Sequence, residues 1–285
     1  MRVLVLVIVS FDKPVYYDML RIWRERILNN RFDSVDGCVT DVWFIQCKSD
    51  AEWVGDIVND IGEPLRSSPM TPHPLSLNSQ SLCDRFELDI ANKTLFIRGD
   101  ECLIPGILHK TVEALSFFLH HSTLLEPSFN SMGLKGVSEA EYDEFPLFIW
   151  RTNLSSVLDF AGLERYLGTI SSTGFYGGYI GKTVSGATVS ERDIWFASGA
   201  GFLMSRDVAE YLVLNKSLLR WDLIDDVAIG ALLEPRYGIV PIERCWIQSG
   251  EEIVGSNGVF HYRCESYQHL RTVEFMQYVV RGLSE

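Results

Sequence analysis

Six runs of β-branched and aromatic residues punctuate the chain, at 2–9, 42–46, 94–98, 146–150, 195–204 and 258–262. Several are apolar at every position, as strands covered on both faces are, instead of alternating apolar and polar. Between them the apolar residues fall at helical spacing. Tyr16, Met19, Leu20, Trp23 and Ile27 share one helix face, and Leu108, Val112, Leu115 and Leu119 share another. Further helices are predicted after Arg206, from near Asp225, and over much of 267–283. Strands alternating with helices predict βαβ units, and so an α/β fold with a mainly parallel central sheet flanked by helices. Three segments read as loops: 63–80, with four prolines; 122–144, polar and acidic; and the Gly-rich 172–193. No repeat or low-complexity stretch divides the chain, so a single domain over 1–285 is expected.

Composition narrows the classes. A net charge of −13 argues against nonspecific binding to nucleic acid or to an anionic membrane, since both need basic patches. Local cations can still hold an anionic small molecule. The six cysteines are widely spaced and form no CxxC or zinc-like pair, so reduced thiols are expected. The opening "MRVLVLVIVS" is short for a leader, lacks a small-residue cleavage site and runs straight into a helical pattern. It is expected to be a core strand. No stretch approaches the roughly 20 apolar residues of a membrane span, so a soluble, cytoplasmic protein is expected.

The stretches that can carry chemistry are unspecific one by one. In "ASGAGFLMSRDVAEYL", Gly199 and Gly201 flank Ala200 where a backbone can approach a ligand, and equally where a strand packs tightly on a helix. Ser205 is placed to cap the helix that follows. In "WDLIDDVAIGALL", Asp225 and Asp226 sit in a first helical turn, where the dipole stabilises acids; one of the pair can also serve as a general base. Lys110 stands in the first turns of another helix, either as solvated surface or for a ligand phosphate. His261 ends an apolar strand beside Arg263 and reads as a hydrogen-bonded core histidine or as a ligand. No early GxGxxG fingerprint supports a dinucleotide-dependent oxidoreductase.

Order and spacing together say more. "VLVIVSFDKPVYYDMLRIWRERI", "VWFIQCKSDAEW", "LHKTVEALSFF", "FIWRTNLSSVL", the stretch Ser198–Asp207, and Asp225, Asp226, Val227 and Gly230 follow one another along the chain. In that order they resemble the Fringe and β3-galactosyltransferase group of GT-A glycosyltransferases over most of the length. The resemblance implies a Rossmann-like GT-A domain, with 1–120 the nucleotide-binding half and 145–285 the acceptor-binding and catalytic half. It implies an inverting transferase that moves a hexose or pentose, such as galactose, N-acetylglucosamine or xylose, from a UDP-sugar to a hydroxyl of a glycan or glycoprotein acceptor. The second acid of the pair, Asp226, carries over as general base, with Asp225 beside it. Ser10 and Asp12 carry over to the uracil and ribose. Lys110, Arg151, Thr152, Asn153, Ser155 and Arg263 fall to the donor. Gly199, Ala200, Gly201 and Trp195 fall to the acceptor, Trp195 reading equally as core packing.

The departure lies in "FIWRTNLSSVL". The family ends its central strand in aspartates that hold a divalent cation against the diphosphate, and here those positions are Asn153, Leu154 and Ser155. Asn153, Ser155 and His261 remain as ligands for Mn²⁺ or Mg²⁺, but a hard cation prefers anionic oxygen. Metal dependence is therefore expected to be weaker than in the family, with Arg151, Lys110, His261 or Arg263 offsetting the leaving-group charge. The missing acids also support an alternative, a catalytically degenerate relative that binds sugar or a protein partner. Animal members are usually anchored in the Golgi by an N-terminal membrane segment; a soluble form, such as a microbe or large virus encodes, is expected here.

Overall fold

The computed structural model describes residues 1–10, 13–28, 38–49, 85–121, 147–183, 193–252, 254, 258–265, 269 and 271–284. The predicted loops 63–80 and 122–144, together with Asp12, Cys83 and Pro146, lie outside them.

Strand β1 (Arg2–Ile8) is central because it is apolar on both faces. Val3, Val5, Val7 and Val9 enter one core, while Leu4, Leu6 and Ile8 enter the other. A strand with no polar face has to be covered twice. On one side lie α1 (Val15–Ile22, continued by the π-helical turn Trp23–Ile27), α3 (Phe160–Leu167) and α6 (Thr272–Gly282). On the other lie α2 (Gly106–His120), α4 (Arg206–Leu214) and α5 (Asp225–Tyr237).

The other strands are β2 (Val39–Lys48), β3 (Phe86–Asp89), β4 (Thr94–Arg98), β5 (Leu147–Asn153), β6 (Ser156–Leu158), β7 (Tyr176–Thr183), β8 (Ile194–Ser205), β9 (Val240–Pro241), β10 (Cys245–Trp246) and β11 (His261–Arg263). Eight of the strands form one sheet in the order β3-β4-β2-β1-β5-β8-β7-β9, and a small sheet β10-β11-β6 stands beside it. In the large sheet β4, β2, β1 and β5 are mutually parallel, while β3 and β8 run against their neighbours. The expected mixed α/β class with a mostly parallel sheet is what the protein has. Both halves of the chain contribute to that sheet, through the parallel pairing of β1 with β5. Among the described residues no helix is long and apolar enough to cross a membrane, and the five described cysteines are free.

Four expectations change. Part of the predicted Gly-rich loop 172–193 is strand β7. Its glycines allow close approach: a Cβ on Gly177 would meet Val240 O at 2.8 Å, and one on Gly181 the Phe196 ring at 2.5 Å. Helix α3 gave no strong periodicity in the sequence, yet it has a cap, with Asp159 accepting from Gly162 N–H at 3.1 Å. Strand β5 runs three residues past Trp150, so Arg151, Thr152 and Asn153 belong to the sheet. Ser205 does occupy the N-cap position of α4, but its hydroxyl accepts from Phe175 N–H and donates to Asp207 instead of capping the helix.

Gly230 shows why α5 needs a glycine on its buried face. A Cβ there would lie 2.4 Å from Phe196 Cβ and 2.6 Å from Trp195 O, so the helix rests directly on the backbone of β8. Gly230→Ala is expected to destabilise the fold by about 1–3 kcal/mol through overpacking, despite the better helix propensity of alanine. Urea unfolding of the two proteins measures this.

Candidate active site at the carboxyl end of the sheet

Opposite β7 the ladder of β8 opens. Gly178 pairs with Phe202 and Ile180 with Ala197, so Ser198 to Gly201 together face the single residue Tyr179. Such a bulge exposes backbone groups that no neighbouring strand satisfies. The polar end of β5 and the first residue of β6 satisfy them. Thr152 Oγ1 donates to Ala200 O at 2.6 Å, Ser156 Oγ donates to the same oxygen at 2.8 Å, and Arg151 donates to Gly199 O. The strand end is neutral because it is a set of hydrogen-bond anchors for the bulge. Gly201 is enclosed there, since a Cβ would fall 2.5 Å from the Trp150 ring and 2.6 Å from His261.

Alternation along β5 sends Ile149, and so Arg151, towards α5. The buried guanidinium of Arg151 forms an ion pair with Asp225 at the helix start. Asp226 is held differently. Its Oδ2 accepts from Gly199 N–H at 2.8 Å and its Oδ1 from Val227 N–H at 2.9 Å. Burial, and then the neighbouring Asp225 charge, push its carboxyl above the usual range; the two N–H groups and Arg151 pull the other way without cancelling this. Two adjacent acids thus have separate situations, one neutralised by arginine and one kept basic.

Asn153 and Ser155 meet an internal cation. Arg263 Nη1 donates to Asn153 Oδ1 and to Ser155 Oγ, both at 2.6 Å, while its Nε and Nη2 hold Glu265. Asn153 Oδ1 also accepts from Ser155 and Ser156. His261 is buried, with Nε2 3.3 Å from Ser156 Oγ. Burial, then Arg244 and Arg263, push its pKa down to about 3. A divalent ion on Asn153 and Ser155 would stand against the guanidinium that already uses both oxygens, so the expected set Asn153, Ser155 and His261 does not suit a hard cation. Among the described residues no group of three or more His, Cys, Asp or Glu side chains is arranged to hold a metal.

Two other expected ligand cations turn inward. Lys110 is fully buried, its Nζ donating to Val9 O and to Glu101 Oε2, each at 2.6 Å, and Ser10 Oγ donates to the same carboxylate oxygen at 3.0 Å. Arg151 is committed to Asp225 and Gly199. Neither is presented to a ligand phosphate. Thr152, Gly199, Ala200 and Gly201 are likewise buried in the frame of the bulge. Trp195 is 43% exposed, with Lys182 Nζ 5.0 Å from its ring centroid, so core packing does not describe it.

Arg244 escaped the sequence reading, as a lone arginine among short segments. Its Nη1 donates to Ser198 Oγ at 3.0 Å, next to the peptide that binds Asp226. Glu101, which gathers Ser10, Lys110 and the Cys47 N–H, had no motif to mark it either. No family model matches the chain, and no curated protein matches it.

Removing Arg151 would leave Asp225 as an unpaired buried charge. Arg151→Met is expected to cost about 3–5 kcal/mol in urea unfolding, and adding Asp225→Asn to recover much of that. His261 gives a pH signature. An unfolded chain takes up a proton below 6.5, whereas the native ring stays neutral to about 3. Its contribution is therefore present above 6.5 and lost as pH falls towards 3. His261→Gln should flatten the stability profile across that window in denaturant titrations at stepped pH.

Proposed function

We propose that the protein is an inverting GT-A-type glycosyltransferase that moves a hexosyl or pentosyl group from a UDP-sugar to a hydroxyl of a glycan acceptor. The observation that carries the reading is the Asp226 carboxylate. It stands at the N-terminus of α5, beside the bulge of β8, oriented by two backbone N–H groups and made more basic by its surroundings. Open α/β sheets bind their ligands at the carboxyl ends of the parallel strands, and the end of β5 adjoins this carboxylate.

In the reaction the acceptor oxygen bonds to the anomeric carbon from the face opposite UDP. The bond from that carbon to the β-phosphate oxygen breaks, and its electron pair leaves with UDP. The hydroxyl proton passes to Asp226, which must reach the acceptor oxygen within about 2.6–3.2 Å. The Asp225–Arg151 pair fixes the helix start, so Asp226 pays little reorganisation at the moment of transfer. A second reading, a sugar- or partner-binding module without catalysis, is favoured by one observation: Arg263 already engages Asn153 and Ser155, at the strand end where the family carries its metal motif.

UDP release from a panel of UDP-sugars, with and without glycan acceptors, separates the two. The transferase reading expects release, and Asp226→Asn is expected to lower transfer by about 10²–10⁴-fold while leaving the circular dichroism spectrum unchanged. A base works deprotonated, so the raised pKa places the acidic limb of the wild-type rate profile above the ordinary 3.8 of an aspartate. Near-normal transfer by the Asn variant removes Asp226 as the base. Binding without release from any donor leaves the module.

A further inference from the structure

Arg244, bonded to Ser198 in the bulge of β8, and Arg263, bonded to Asn153 at the end of β5, bring two guanidinium groups near one another in a chain whose net charge is −13. Arg244 immediately precedes β10, which lies parallel to β11 with Trp246 opposite Arg263. Like charges held this close repel, and Arg244 bears the cost, its pKa lowered by burial and then by Arg263. Glu265, paired with Arg263, offsets part of this repulsion.

The two arginines differ in what they have left to give. A guanidinium has five N–H donors. Arg263 uses Nη1 on Asn153 and Ser155 and its Nε and Nη2 on Glu265. Among the described residues Arg244 makes one hydrogen bond, from Nη1 to Ser198, and its buried Nε has no partner. Its plane is set by two half-exposed rings, with the centroid of Tyr179 4.0 Å and that of Trp246 5.3 Å from Cζ. Stacking fixes the plane of an arginine fork and leaves its edge free for oxyanions.

We propose that Arg244 and Arg263 form a built-in cationic site for a diphosphate, taking the place of a divalent metal at the end of β5. Arg244 supplies the free donors and the charge least offset by internal partners, while Arg263, paired with Glu265, holds Asn153 and Ser155 beside it. The identity of the ligand, the diphosphate of a nucleoside diphosphate sugar, rests on the transferase reading. Arg151 and Lys110 are ruled out for this role because both are buried on internal partners.

The test is calorimetric titration in excess EDTA with UDP, uridine and inorganic pyrophosphate. Wild-type protein is expected to bind UDP about tenfold or more tighter than uridine, the scale of charge-assisted hydrogen bonds. Arg244→Met should bring UDP to the level of uridine while uridine binding, which reports an intact fold, stays unchanged. Arg244→Lys, which keeps the charge without the fork, should fall between. Arg263→Met is the second variant, and Arg244→Met decides alone if the loss of Arg263 unfolds the strand end. UDP affinity in EDTA equal to that of uridine, or unmoved by Arg244→Met, overturns the proposal. So does a preference for UDP that appears only with Mn²⁺, and that result leaves the transferase reading standing. Arginine-dependent binding of pyrophosphate with no contribution from uridine upholds the anion site and removes the uridine-nucleotide reading instead.

Discussion

The buried ion pair between Arg151 and Asp225 ties helix α5 to β5, a strand that already pairs with β8 in the sheet. Arg151 comes from the central strand β5, Asp225 opens α5, and the same guanidinium also donates to Gly199 O in the bulge of β8. Desolvating two charges is costly, and a buried pair need not stabilise a fold more than apolar residues would. What it does supply is registration. With Asp225 pinned to the sheet, the next residue has one place to go, and Asp226 lands on the Gly199 N–H.

That arrangement divides the cations of the site into two kinds. Lys110 and Arg151 are internal ties, each neutralised by one acid and one backbone carbonyl. Arg244 and Arg263 stand at the rim, where the aromatic faces of Tyr179 and Trp246 are half-exposed. A charge stabilises a ligand only if its donors are not already saturated. By that criterion Arg244 is the cation with most to offer, although no motif contains it.

Much of the architecture was legible from patterning. Continuous apolar runs marked β1 and β5 as central strands, because a strand without a polar face needs a layer on each side. Helices α2, α5 and α6 followed from spacing. Strand β7 did not, since the glycines that let it approach β8 and β9 closely also look like loop residues. Asp225, Asp226 and the strand-end residues were all found by order along the chain. Their separate roles were not, because adjacent acids look alike until one of them meets an arginine 74 residues away in sequence.

The sequence by itself determined the class of fold, the strands at its centre and the acidic turn at the start of α5, since these depend on local periodicity and capping chemistry. Only the tertiary structure decided why "FIWRTNLSSVLDF" carries neutral polar residues from Thr152 to Ser156. Its amide and hydroxyls complete the hydrogen bonds of a bulge from β8 and of an arginine from β11, both brought there by the chain's return through the sheets. Hydrogen bonds between residues 44 to 110 positions apart leave no periodic trace in a sequence. They form only when the sheets have placed donor and acceptor within reach.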